Sequence, residues 1–108
     1  MQKETILILD DEKNIRLSVQ ITLENDGYTV LSCHDAIAAF SEISKGNVDL
    51  AILDIRLQGI DGLSLFDKMH SENVVVPTIF ISGHASLSEA AKAVQMGAFD
   101  FIEKPFTS

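Results

Sequence analysis

The sequence predicts a doubly wound α/β domain built on a five-stranded parallel sheet. Two observations carry that prediction. Short aliphatic runs recur without polar alternation, the pattern of strands buried on both faces. Between these runs, apolar residues return at helical spacing, so strands and helices alternate along the chain. Right-handed crossovers then place the carboxyl ends of all the strands on one edge of the sheet.

The elements follow in order. Thr5 to Leu9 (TILIL) forms the first strand and runs directly into Asp10, Asp11 and Glu12. Ile15, Val19 and Leu23 recur at spacing four in a helix that Gly27 stops. Tyr28 to Cys33 is a second strand. Asp35 caps a helix that carries Ala36, Ala39, Phe40 and Ile43 on one face, and Gly46 terminates it. Leu50 to Leu53 is a third strand, followed by Asp54. Beyond the Gly59–Gly62 loop, Leu65, Phe66 and Met69 mark a third helix. Val74 to Ser82 supplies a β-branched fourth strand entered at Pro77. Ser86 to Glu89 has the spacing of a capping box and opens a helix through Ala90, Ala91 and Val94 to Gly97. Phe99 to Glu103 is the fifth strand, ended by Lys104-Pro105.

Composition narrows the class. The 108 residues suit one domain, and 46% hydrophobic residues supply a core. Eight basic against 16 acidic residues give a net charge of −8, which argues against a nucleic-acid footprint on this domain. No apolar run approaches the ~20 residues of a membrane span, and no signal-peptide core opens the chain. Cys33 is the only cysteine, so no internal disulfide can form, and a reducing cytoplasm is the expected setting.

Residues at the predicted strand ends carry the chemistry. Asp10 and Asp11 follow the first strand, Asp54 the third, and Lys104 the fifth, while Ser82 closes the fourth. Ligands of open α/β sheets bind beyond the carboxyl ends of the strands, so these groups converge on one cleft. Three carboxylates together resist ionisation without a compensating cation. Mg²⁺, which prefers oxygen ligands and keeps several waters, answers that need. Asp54 can then act as a nucleophile toward phosphorus, with Lys104 and Ser82 contacting phosphoryl oxygens.

Four stretches, ILILDDE at 6–12, AILDIRLQGIDG at 51–62, FISGHA at 80–85 and GAFDFIEKPF at 97–106, resemble the response-regulator receiver domain of bacterial two-component signalling. The resemblance implies the flavodoxin-like receiver fold with strand order 2-1-3-4-5, an order the chemotaxis receiver exemplifies. It implies Asp54 as phosphoacceptor, charged by a partner histidine kinase. Asp10, Asp11, Asp54 and the backbone carbonyl of Arg56 would hold Mg²⁺, with Asp11 a direct ligand. Ser82 becomes the switch hydroxyl, Phe101 the switch aromatic, and Lys104 the phosphoryl contact before a cis Lys104–Pro105 bond. Phe101 stands where Tyr is commoner, so an aromatic rotamer switch remains without a hydroxyl lock. Gln58 stands where the family usually has Pro.

The run SEAAKAVQMGAFDFIEKPF is most similar to receivers of nitrogen-regulation-type transcription factors, which implies an ATPase and a DNA-binding domain downstream. Receivers also carry a fifth helix after the Lys-Pro turn, and this chain stops at Ser108. The expectation is therefore the N-terminal part of a longer regulator. Taken alone, it is expected to be either less stable than a version extended by one helix or self-associated, as a homodimer, through the face that helix would cover. Two other functions fit the architecture. An aspartate-nucleophile phosphatase wants a second acid two residues after its nucleophile, where Arg56 stands. A flavin carrier wants a phosphate cradle after the first strand, where Asp10 and Asp11 would repel phosphate. His34, His70 and His84 share no metal-ligand spacing and are expected in loops or on the surface.

Overall fold

The structure is a computed structural model, and it describes residues 4–10, 12–54, 62–82, 92, 94–95, 97–98 and 100–103. Five strands form the sheet: β1 (Thr5–Leu9), β2 (Thr29–Cys33), β3 (Leu50–Asp54), β4 (Thr78–Ser82) and β5 (Asp100–Glu103). All are parallel, in the order β2-β1-β3-β4-β5 that the resemblance implies. Among the described residues three helices connect β1 through β4: α1 (Lys13–Asn25), α2 (Ala36–Ser44) and α3 (Gly62–Ser71). The helix expected after Ser86 lies largely outside the described residues.

Burial explains why the strands read as unbroken apolar runs. Leu7 and Leu9 of β1, Ala51 and Leu53 of β3, and Phe80 of β4 form one core with Ala36, Ala39 and Ile43 of α2 and Leu65, Phe66 and Met69 of α3. The alternate positions, Ile6, Ile8, Val30 and Ile81, are buried as well. Both faces of β1, and much of β3 and β4, are therefore covered, which removes the polar alternation of a half-exposed strand. Helix α1 packs on β1 and β2 through Ile15, Val19 and Leu23, each half-buried.

Helix ends account for the strand boundaries. Gly27, at φ 96°, closes α1, and the Tyr28 amide donates back to the Leu23 carbonyl at 3.1 Å. That bond takes Tyr28 away from the sheet, so β2 begins at Thr29 and not at Tyr28. Asp35 caps α2 as expected, its Oδ1 accepting from the Ala38 amide at 2.8 Å. Helix α3 ends the same way as α1. Asn73 adopts φ 59°, and the Val74 amide donates to the Met69 carbonyl at 2.8 Å.

The fourth strand consequently starts at Thr78, four residues later than the β-branched run beginning at Val74 implies. Val74 is committed to the helix end, and Pro77 has no N–H to contribute. The Pro77 carbonyl still accepts from Ala51 at 2.9 Å, which sets the β3–β4 register. Strand β3 runs one residue further than expected, so Asp54 is itself a strand residue paired with Ile81.

Candidate functional site at the carboxyl edge of the sheet

The last pair between β1 and β3 is Leu9 with Leu53. Asp10 and Asp54 come next, so they end adjacent strands at the same level. Both are buried, with exposures of 0% and 3%. Glu12, the exposed residue just before α1, reaches the same place. One carboxylate oxygen from each of Asp10, Glu12 and Asp54 lies within 4.8 Å of the others, a group able to hold a metal ion.

Hydrogen bonds to Cys33, Glu12 and Arg16 hold Asp10. Its amide donates to the Cys33 carbonyl at 3.3 Å, continuing the line of the β1–β2 ladder. Its Oδ1 accepts from the Glu12 amide at 2.8 Å, a local turn that also serves the start of α1. Its main-chain carbonyl accepts from Arg16 Nη1 at 2.6 Å. An acid after a strand can be a simple turn-former, and Asp10 does act as one. Its second role comes from its neighbours Asp54 and Glu12.

Ser82 ends β4 one step beyond the Asp54–Ile81 pair, and Phe101 of β5 is in register with Phe80. The backbone thus places Ser82 on the strand next to Asp54 and Phe101 one strand further out, on β5. Asp11, Arg56, Gln58, His84, Lys104 and Pro105 lie outside the described residues. His34 and His70 are exposed, as expected. Glu12 and Arg16 were not among the sequence candidates. Glu12 was legible as the third acid of a run. Arg16 left one signal, a cation near the positive end of a helix, where cations are disfavoured.

The donor set fits a hard divalent ion. Carboxylate oxygens this close repel, two of them are shielded from water, and Mg²⁺ takes oxygen ligands in such sites. Cys33, the carbonyl partner of Asp10, is buried and offers nothing to that ion as a thiolate. Burial pushes its thiol above the ordinary value of 9.0, Glu42 and Asp35 add to the rise, and Arg16 opposes it.

Among the described residues, no helix is long and apolar enough to cross a membrane. Comparison with known proteins matches residues 6–108 to the response regulator receiver domain. The nitrogen assimilation regulatory protein NtrX of Azorhizobium caulinodans is 45% identical over 105 residues, covering 95% of this chain and 23% of that protein. The chain thus spans about a quarter of that relative's length. The crystal structure of the NtrX receiver domain from Brucella abortus is 40% identical, with a TM-score of 0.86 and coverage of 94% of this chain and 87% of that one. A response regulator from Burkholderia pseudomallei, solved with a phosphorylated aspartic acid and a calcium ion, is 25% identical, with a TM-score of 0.87 and coverage of 97% and 62%. Receiver domains bind Mg²⁺ in an acidic pocket, which agrees with the acid cluster built here. The chain belongs to the response regulator receiver domain family.

Proposed function

We propose that the domain is a phosphorylation switch in which Asp54 accepts a phosphoryl group from the phosphohistidine of a partner kinase. One observation carries the reading: Asp54 is a buried carboxylate at the end of the central strand, grouped with two further acids. A carboxylate oxygen of Asp54 forms the new O–P bond while the P–N bond to the donor imidazole breaks, and its electron pair returns to that ring. Bound Mg²⁺ supplies positive charge to the phosphoryl oxygens. Asp10, Asp11, Asp54 and the Arg56 backbone carbonyl are the proposed metal-binding groups, with Lys104 and Ser82 contacting phosphoryl oxygens. Glu12 enters the same acid group.

Movement of Ser82 toward the new phosphoryl oxygens would vacate space for Phe101 to turn inward. Phosphorylation then biases a two-state equilibrium at the surface around β5. The Burkholderia neighbour's phosphorylated aspartic acid supports the acceptor chemistry. Matches to about a quarter of nitrogen assimilation and DNA-binding transcriptional regulators support a receiver that works within a longer transcriptional regulator, upstream of an ATPase and a DNA-binding domain. The phosphatase and flavin readings gain no support from these relatives.

The test is incubation with a small acyl-phosphate donor and Mg²⁺, read by intact mass. One added phosphoryl group is expected on the wild type and none on Asp54→Ala. An unmodified wild type, or an equally modified Asp54→Ala, would overturn the reading.

A further inference from the structure

We propose that Arg16 is a positioning residue for metal binding, acting through its hydrogen bond to the Asp10 main-chain carbonyl. The inference rests on the receiver reading of the acid group. Arg16 lies near the start of α1, where the helix dipole disfavours a cation. Its guanidinium turns back to the end of β1 instead, and Nη1 donates to the Asp10 carbonyl at 2.6 Å. Of the hydrogen bonds that tie Asp10 to Cys33, Glu12 and Arg16, it is the one donated by another residue's side chain.

That carbonyl belongs to the peptide unit joining Asp10 to residue 11. Holding it fixes the plane of that unit, and with it the direction in which the chain leaves β1 past the acids. The other anchors leave this rotation less constrained. The Glu12 bond is local, and the Cys33 bond, at 3.3 Å, is long for an amide donor. Mg²⁺ demands near-ideal octahedral geometry, so a small drift of the loop reads out as lost affinity.

The sign of the effect separates positioning from charge. Removing a cation beside an acidic site lowers repulsion toward Mg²⁺ and tightens binding. Removing an anchor loosens the site and weakens binding. The two accounts predict opposite outcomes for a neutral substitution.

The experiment is calorimetric titration with Mg²⁺ alone on wild type, Arg16→Met, Arg16→Gln and Arg16→Lys, with thermal melts confirming that each folds. The neutral variants are expected to bind Mg²⁺ about tenfold more weakly, the lower end of what removing a group behind a metal ligand costs. Arg16→Lys, which keeps a donor, is expected to fall between them and the wild type. Maximal phosphoryl uptake at saturating Mg²⁺ should stay close to wild type in all of them. If either folded neutral variant binds Mg²⁺ as tightly as wild type or more tightly, the inference is overturned. The same holds if Arg16→Lys is no better than the neutral variants, or if melting alone changes. A wild type that binds no Mg²⁺ would instead sink the receiver reading itself.

Discussion

Asp10 and Asp54 stand side by side at the ends of adjacent strands, with exposures of 0% and 3%. Two unit charges within 4.8 Å repel by about 3–4 kcal/mol at an effective dielectric constant near 20. The fold tolerates this because both strands are fixed by the core beneath them, and a divalent cation turns the repulsion into binding energy. Mg²⁺ should therefore raise the melting temperature. At ten times its dissociation constant, the gain is about 1.4 kcal/mol, or ~6 °C for a domain of this size. Asp54→Ala should melt at the same temperature with and without Mg²⁺. A Mg²⁺ shift that persists in Asp54→Ala would contradict the assignment.

The neighbouring acids divide between the two sources of expectation. The family resemblance points to Asp11, while the described geometry brings in Glu12. Glu12 is exposed, where water screens its charge, while Asp10 and Asp54 beside it are buried. Asp11→Asn is therefore expected to weaken Mg²⁺ binding more than Glu12→Gln does. Titration of the two variants decides the order, and a larger loss in Glu12→Gln would reverse the roles.

Local chemistry made much of this legible from sequence. TILIL reads as a strand because both of its faces are buried, and Asp35 reads as a cap because the bond it makes is three residues away. The side chains of Tyr28 and Val74 suit strands, yet their amides are spent on the carbonyls of preceding helices. Side-chain patterns do not report where a main-chain donor goes. The same reason hides Arg16, whose partner is a carbonyl that only the β1–α1 turn presents. Asp10 and Asp54 were found because strand ends converge by topology alone.

Cys33 gives a pH prediction with a definite sign. Its thiol is pushed above 9.0 in the fold, chiefly by burial, so the unfolded chain loses that proton first as pH rises. Between the unfolded and folded values the unfolded state binds fewer protons, and stability falls with pH. The contribution is complete below pH ~9 and declines above it. Cys33→Ala should lower stability by about 1 kcal/mol at neutral pH through the small cavity it leaves. The gap from wild type should then narrow as pH climbs past 9.0. Denaturant melts of both proteins at neutral and alkaline pH test this, and a gap that stays constant or widens would refute it. The folded thiol should also react slowly with an aromatic disulfide reagent, and unfolding should release it.

Phe80 separates stability from site chemistry. It is fully buried in β4, packed edge-on against Phe66 of α3 with ring centroids 5.3 Å apart and planes at 88°. Register places it opposite Leu53, one residue short of Asp54 and on the face that packs α2 and α3. Phe80→Leu loses the aromatic contact, worth about 0.5–1.5 kcal/mol, together with part of the ring volume. The expected total is about 2 kcal/mol, a drop in melting temperature of roughly 8 °C. Phe66→Leu should cost a similar amount. The double variant should fall short of the sum by about 1 kcal/mol, because each single change already removes the shared contact. Mg²⁺ affinity at a temperature where all the variants are folded should be unchanged, since the two carboxylates are set by strand ends that remain paired. Additive losses would show that the rings do not interact, and a loss of Mg²⁺ affinity equal to that of Asp54→Ala would show that the core positions the acids directly.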